Sequence, residues 1–123
     1  MHELAICQAL LDQVAPIALR HDRRVGRVRV SVGPLSGVDA GQLERAFELA
    51  RQGTAAEGAA LDVTTAPVRV RCGECDAESP ASANRLLCAR CGSWRTRIAS
   101  GDELLLLGID LTDETIEAGR IHV

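Results

Sequence analysis

Two short motifs near the middle of the chain, Cys72-Gly73-Glu74-Cys75 and Cys88-Ala89-Arg90-Cys91, decide how the chain is expected to fold. Each is a C-x-x-C pair, and twelve residues separate the two. A gap of two residues lets one tight turn direct both sulfur atoms at the same ion, and zinc prefers four ligands in a tetrahedron. Two pairs complete that shell and leave no open position, so the spacing predicts a structural zinc site. The predicted ligands are Cys72, Cys75, Cys88 and Cys91.

A redox dithiol is the alternative function for either pair. Such a pair usually opens a helix of a thioredoxin-like unit, and neither pair does so here. The fifth cysteine, Cys7, lies on an apolar stripe with Leu4 and Leu11 at helical spacing. We expect Cys7 to be a small buried core residue rather than a ligand.

The residues before the cysteine pairs alternate between helical and strand patterns. Helical spacing predicts a first helix over residues 3–19 that is kinked, irregular or ended at Pro16. Valines that alternate with arginines predict a strand over residues 25–32. Asp39 suits an N-cap, and a second helix is predicted over residues 40–52.

The remaining strands are predicted around the cysteine pairs. One covers residues 59–66, with the alternation of Val68 and Val70 after it, and others cover residues 94–99 and 103–109. The polar stretch 76–87 has little periodicity and is predicted to be irregular. The resulting fold class is α/β: a small mixed sheet flanked by two helices, with an inserted zinc-ribbon-like module.

Composition limits the classes of partner. The chain of 123 residues has one Trp, one Phe and no Tyr, and all its 14 basic residues are Arg against 17 acidic ones. A net charge of −3 and the lack of stacking surfaces argue against nucleic-acid binding. No apolar run is long enough to span a membrane, and no signal peptide is visible, so a cytoplasmic protein is expected.

The first three residues, Met1-His2-Glu3, offer a second set of metal ligands. The terminal amine of Met1, the following backbone amide and the imidazole of His2 can present several nitrogens in a plane, which suits Ni(II) or Cu(II). Glu3 could add an oxygen. A solvated terminal histidine without a function is the alternative.

The whole pattern resembles one family. Met1-His2-Glu3-Leu4, Cys7-Gln8, the two cysteine pairs and Ser100-Gly101-Asp102-Glu103-Leu104 are together similar to the HypA family of nickel metallochaperones for [NiFe]-hydrogenase maturation. The resemblance implies transient Ni(II) held by His2, Glu3 and the Met1 amine, and structural Zn(II) held by the four paired cysteines. It also implies, more weakly, that Asp39 contributes to the nickel site.

The same resemblance implies a domain organisation and partners. A nickel-binding α/β domain would comprise residues 1–70 and 100–111, a zinc-binding module residues 71–99, and a C-terminal tail residues 112–123, in which His122 has no assigned role. The expected partners are a HypB-type GTPase and the hydrogenase large subunit. The inserted module also suits strand exchange between chains, so a homodimer is an arrangement that light scattering would test.

Two other classes of function compete with this interpretation. One is a zinc-ribbon adaptor that binds protein or nucleic acid and carries no transferable metal. The other is a redox enzyme that uses the cysteine pairs. No catalytic triad, phosphate loop or paired-carboxylate motif stands out, so the chain is not expected to be an enzyme.

Overall fold

A computed structural model describes residues 2–116 of the chain, which form two helices and six strands. The elements are α1 (His2–His21), β1 (Val25–Val32), α2 (Ala40–Ala50), β2 (Ala60–Thr65), β3 (Val68–Cys72), β4 (Glu78–Ala81), β5 (Thr96–Ser100) and β6 (Leu104–Leu111). The strands form two three-stranded sheets, in the orders β2-β1-β6 and β4-β3-β5. The predicted α/β class is confirmed, and β3 to β5 are inserted in the chain between the two strands that flank β1. Met1 and His122 lie outside the described residues.

Helix α1 continues past Pro16, where an interruption was expected, and ends at His21. Proline removes the hydrogen bond to the carbonyl four residues earlier, here that of Asp12. Both Pro16 and Asp12 are exposed, so water can satisfy that carbonyl, while Val14 and Ala18 remain buried on the opposite side. Within residues 2–116, neither helix combines the length and the apolar character that crossing a bilayer requires.

The first of two compact units comprises residues 2–30, 39–63 and 106–116 of the described chain. Its helices pack against each other, and its core contains Val28, Val30, Leu43 and Phe47, each at most 1% exposed. The predicted N-cap of α2 is confirmed, because the Asp39 Oδ1 accepts a hydrogen bond of 3.0 Å from the N–H of Gln42. Aliphatic side chains and one phenylalanine therefore build this core, as the aromatic-poor composition requires.

Cys7 is fully buried in this unit, and its thiol donates a hydrogen bond of 3.5 Å to the carbonyl of Leu43. Burial, with a smaller effect from the Glu3 carboxylate, raises the pKa of Cys7 to about 11. The thiol therefore stays neutral in the folded state at a pH where an exposed cysteine would ionise. Its position confirms Cys7 as a core residue.

We expect the free energy of unfolding to fall as the pH rises from about 8.5, the ordinary cysteine value, towards about 11. In that window the unfolded chain has released the Cys7 proton and the folded chain has not, so higher pH favours unfolding. The chain contains no lysine or tyrosine to obscure this effect. Urea titrations of the metal-loaded protein across the window would show it, and Cys7→Ala should flatten the profile. An equal slope in both proteins would contradict the assignment.

The second compact unit comprises Ser31–Val38 and Thr64–Leu105. Its central strand β3 pairs antiparallel with β4 on one side and β5 on the other. Strand β4 lies in the stretch that was predicted to be irregular: Ser79 pairs with Val70, and Pro80 pairs with Arg69. An edge position tolerates proline because one side of the strand needs no partner. The domain boundaries drawn from the sequence stay a prediction.

Two glycines of this unit, Gly33 and Gly101, lie where backbone segments approach closely. The N–H of Gly33 donates to the carbonyl of Glu103 over 2.8 Å, and a Cβ built on Gly33 would collide with the backbone of Gly101. Gly101 itself has a φ of +106°, and a Cβ there would lie 2.9 Å from the Cα of Val68. Both the conformation and the space at this crossing therefore require glycine.

Gly101→Ala should lower the free energy of unfolding by roughly 3 kcal/mol, because strain at a positive φ adds to a backbone clash. Gly37→Ala is the matched control, since Gly37 also has a positive φ but a Cβ added there would have no other atom within 4 Å. That control should cost only about 1 kcal/mol. Urea denaturation followed by circular dichroism measures both, and equal losses would show that the close approach to Val68 contributes nothing.

Candidate metal centres

The four paired cysteines converge on one point in the second unit. Their sulfur atoms all lie within 4.8 Å of one another. The Sγ atoms of Cys72 and Cys91 are 3.6 Å apart, as are those of Cys75 and Cys88. Four sulfurs at about 2.3 Å from a tetrahedral ion would be separated by about 3.8 Å. The sulfur cluster therefore has the size that a tetrahedral four-thiolate site needs.

The two pairs have the same backbone geometry. In the first, the N–H groups of Glu74 and Cys75 donate to the sulfur of Cys72 over 3.2 and 3.4 Å. In the second, the N–H groups of Arg90 and Cys91 donate to the sulfur of Cys88 over 3.3 and 3.4 Å. The first cysteine of each pair thus accepts two backbone hydrogen bonds, which stabilise it as a thiolate.

Each turn also closes in the same way. The N–H of Asp76 donates to the carbonyl of Cys72 over 3.1 Å, and the N–H of Gly92 donates to that of Cys88 over 2.9 Å. Both closing residues have positive φ, 61° for Asp76 and 77° for Gly92. Glycine and aspartate are residue types that reach this conformation at low cost. Neither pair opens a helix, so the geometry disfavours the redox interpretation.

Hydrogen bonds shift the pKa values of Cys72, Cys88 and Cys91. The N–H of Cys75 chiefly lowers the pKa of Cys72, and the N–H of Cys91 chiefly lowers that of Cys88 to about 6. A backbone hydrogen bond from Ser93 lowers the pKa of Cys91, but the hydrogen bonds it shares with the other sulfurs raise it to about 12 overall. One cysteine of each pair is therefore prepared to bind a cation before the cation arrives.

The N-terminal residues predicted to bind nickel, His2 and Glu3, lie in the first unit, at the first turn of α1. The side chain of His2 is 60% exposed, and its Nε2 lies 3.5 Å from the Oε2 of Glu3. That same oxygen accepts a long hydrogen bond of 3.4 Å from the N–H of Asp39 at the start of α2. His2 and Glu3 are thus close together, and Asp39 meets Glu3 through its backbone rather than its carboxylate.

Glu3 is only 6% exposed, whereas Leu4, which the periodicity placed on the buried stripe, is 38% exposed. Burial alone would raise the pKa of Glu3, but hydrogen bonds from the backbone N–H groups of Glu3 and Asp39, and the charge of His2, outweigh it and lower that pKa. Glu3 therefore stays ionised although it is buried. The sequence contains a signal for the burial of Glu3, because Glu3 lies four residues before the buried Cys7 and therefore on the same face of α1.

The chain is similar to known proteins over about nine-tenths of its length. The family model described as "Hydrogenase/urease nickel incorporation, metallochaperone, hypA" matches residues 1–111. The hydrogenase maturation factor HypA of Nitrosospira multiformis is 45% identical over 112 residues, which cover 90% of this chain and 97% of that protein. That of Aquifex aeolicus is 38% identical over 112 residues, with the same coverage of 90% and 97%.

Solved structures agree with the family match. The solution structure of the Ni metallochaperone HypA from Helicobacter pylori matches with a TM-score of 0.69 and 25% identity, over 91% of this chain and 98% of that chain. A second solution structure of a HypA protein matches with a TM-score of 0.73 and 26% identity, over 93% and 98%. The family match over residues 1–111 therefore includes both the Met1-His2-Glu3 motif and the two cysteine pairs. The resemblance seen in the sequence is confirmed. The chain belongs to the HypA family of hydrogenase/urease nickel-incorporation metallochaperones.

Proposed function

We propose that this chain binds Ni(II) at its N-terminus and delivers it to a hydrogenase large subunit, while a structural Zn(II) holds the second unit together. The observation that carries the proposal is the pair of separate donor sets in one chain. One set is closed, with four thiols arranged around a point, and the other combines the exposed imidazole of His2 with the buried carboxylate of Glu3 at the first turn of a helix. A closed set of ligands suits a metal ion that the protein retains, and a set with an exposed ligand suits a metal ion that it exchanges.

The start of α1 favours a nitrogen-rich nickel site. The first four N–H groups of a helix have no partner within the helix, so the amide of His2 can lose its proton to nickel without breaking a helical hydrogen bond. The positive end of the helix dipole opposes a cation there. A deprotonated amide and the ionised Glu3 offset that repulsion. We therefore propose His2, Glu3 and the Met1 amine as the nickel donors.

Asp39 is not included in the proposed nickel site. Its Oδ1 caps α2 by accepting the N–H of Gln42, and its own N–H donates to Glu3. A carboxylate that turned away to bind nickel would leave the first turn of α2 uncapped, which costs about 1 kcal/mol. The structure supports a positioning role for Asp39 through Glu3.

The four-thiolate set is assigned to Zn(II). A tetrahedral sulfur site suits zinc or an iron–sulfur centre, and the spacing of two C-x-x-C pairs on tight turns is typical of structural zinc. Cys72, Cys75, Cys88 and Cys91 would hold the ion, whose role when bound is to crosslink the two turns. With all four positions filled by protein, the site has no room for a reacting molecule, which supports a role other than catalysis.

Delivery completes the proposed function. Ligands at a chain end can release nickel one at a time to an acceptor with better ligands. We propose that a HypB-type GTPase assists this step, that it takes place in the cytoplasm, and that the chain itself is not an enzyme. The test is a nickel titration of the zinc-loaded protein: one equivalent of Ni(II) bound per chain is expected, and no saturable binding would contradict the proposal.

A further inference from the structure

The sole tryptophan of the chain lies on the surface of the second unit. Trp94 is 73% exposed, although a large aromatic side chain gains most from burial. It forms one wall of an open groove of about 470 Å³, which is within the size range of ligand pockets. The groove, called the Trp94 groove below, is lined by Ala83, Asn84, Arg85, Leu86, Leu87 and Trp94. Most of its lining residues are therefore apolar, and one of them is an arginine.

The charge around this groove differs from that of the whole protein. The chain has a net charge of −3, yet the residues between Glu78 and Asp102 include four arginines and no carboxylate. One of these arginines, Arg85, lines the groove, and a second, Arg95, contacts the Trp94 ring, with its guanidinium 5.3 Å from the ring centre. Arg95 also meets the carboxylate of Glu74 at 3.6 Å, but both side chains are exposed, and such contacts are weak.

The walls of the groove are held in place by the cysteine turns. The Thr96 hydroxyl donates to the carbonyl of Leu86 over 2.7 Å, which joins the strand after Trp94 to another residue that lines the groove. The carbonyl of Arg95 accepts a hydrogen bond of 2.7 Å from the N–H of Gly73, inside the first cysteine pair. The groove is therefore largely preformed, which reduces the entropy lost on binding.

We propose that the Trp94 groove is a docking site for an acidic peptide segment of a partner protein that carries a leucine-like side chain between its carboxylates. The aliphatic side chain would lie on Leu86 and Leu87 against the Trp94 ring, and the carboxylates would pair with Arg85 and Arg95. Tryptophan and arginine are the residues most enriched where binding energy concentrates in protein interfaces. A nucleic acid fits less well, because a single aromatic ring gives no row of stacking platforms.

The test uses Trp94 itself as the reporter. A short synthetic peptide of aspartate, glutamate and leucine is titrated into the zinc-loaded protein, and tryptophan emission is recorded. We expect a saturable shift to shorter wavelength as the ring leaves water, and weaker binding at higher salt. A peptide in which lysine replaces every acidic residue should give no shift. An equal shift with the lysine peptide, or none with the acidic peptide up to about 1 mM, would overturn the proposal.

Matched variants locate the site. The double variant Arg85→Ala/Arg95→Ala should weaken binding of the acidic peptide at least about tenfold, while Arg20→Ala/Arg45→Ala, with the same loss of charge in the first unit, should bind as the parent does. Circular dichroism and zinc content confirm that each variant is folded. Equal binding by the two variants, or tighter binding of a single-stranded oligonucleotide than of the peptide, would contradict the assignment.

The docking inference rests on the proposed zinc site only for the rigidity of the groove, and the two can fail separately. Nickel titration of Arg85→Ala/Arg95→Ala should match the parent, because neither arginine belongs to the N-terminal donor set. Loss of peptide binding with nickel binding intact supports the groove. Peptide binding that survives complete removal of zinc would overturn the role given to the cysteine turns.

Discussion

Chelation of zinc is expected to abolish amide-exchange protection in β3, β4 and β5 while α1 and α2 keep theirs. The reason is the small core of the inserted module. Between Val68 and Ser100, the segment that carries β3, β4 and β5, the buried residues are Val68, Val70, Cys72, Ser79 and Cys88, of which two are proposed zinc ligands. Two buried valines contribute only about 4 kcal/mol of hydrophobic stabilisation, far less than the entropy cost of ordering the module.

The proposed zinc ion would supply the remaining stabilisation. Structural zinc contributes about 10–16 kcal/mol in zinc-finger peptides, and this binding energy becomes folding energy. The first unit has its own core around Leu43 and Phe47, which contains no proposed zinc ligand. We therefore expect its protection to survive when the module unfolds.

Hydrogen exchange read by mass spectrometry, before and after chelation, checks this result. Cys88→Ser should reproduce the effect of chelation without any chelator, because it removes one ligand. Cys7→Ala is the matched control, a cysteine change outside the cluster that should leave the module protected. If protection fell equally over the whole of residues 2–116 after chelation, the zinc would be supporting the entire fold and the local role would be wrong.

The second large effect is expected on the affinity for Ni(II). His2→Ala should weaken Ni(II) binding by on the order of a hundredfold or more, since even the loss of a residue that only supports a metal ligand costs ten- to a hundredfold. The His2 side chain is exposed at the first turn of α1, so its removal should not disturb the core. Isothermal titration with nickel, on protein whose zinc content is unchanged, measures the effect. Affinity in the parent should also fall as the pH falls, because the ligands must lose protons to bind.

His21 supplies the matched control for that experiment. It is also exposed, and it ends the same helix that His2 begins. His21→Ala should bind nickel as the parent does. A further variant with one residue added before Met1 should also lose affinity, because it moves the terminal amine away from the imidazole. Unchanged affinity in both His2→Ala and the extended protein would favour the adaptor function instead.

Elements with strong local signals could be predicted from the sequence. Strand β1 has the predicted bounds, because valine alternates with arginine or serine from Arg27 to Val32. The N-cap at Asp39 follows from its residue type just before an amphipathic segment. The cysteine cluster follows from spacing alone, since the two-residue gap dictates the turn that brings the sulfurs together.

Other elements depend on partners that the local sequence does not contain. Strand β4 has a proline and polar residues, and it exists because β3 offers a free edge to pair with. The burial of Glu3 depends on the N–H of Asp39, which is 36 residues away in the chain. The Trp94 groove likewise needs Leu86 and Trp94 to meet through a hydrogen bond from Thr96. Each of these features is a tertiary contact, which local periodicity does not encode.

The insertion of the cysteine module between β2 and β6 also sets an order of events during synthesis. The ribosome completes β3, β4 and β5 before it makes β6, the strand that completes the β2-β1-β6 sheet. Because chains begin to fold while they are being made, the cysteine module can pair its strands and bind the proposed zinc ion while the β2-β1-β6 sheet still lacks an edge strand. Zinc supply at the time of translation is therefore expected to act on a part of the protein whose strands are complete before that sheet is.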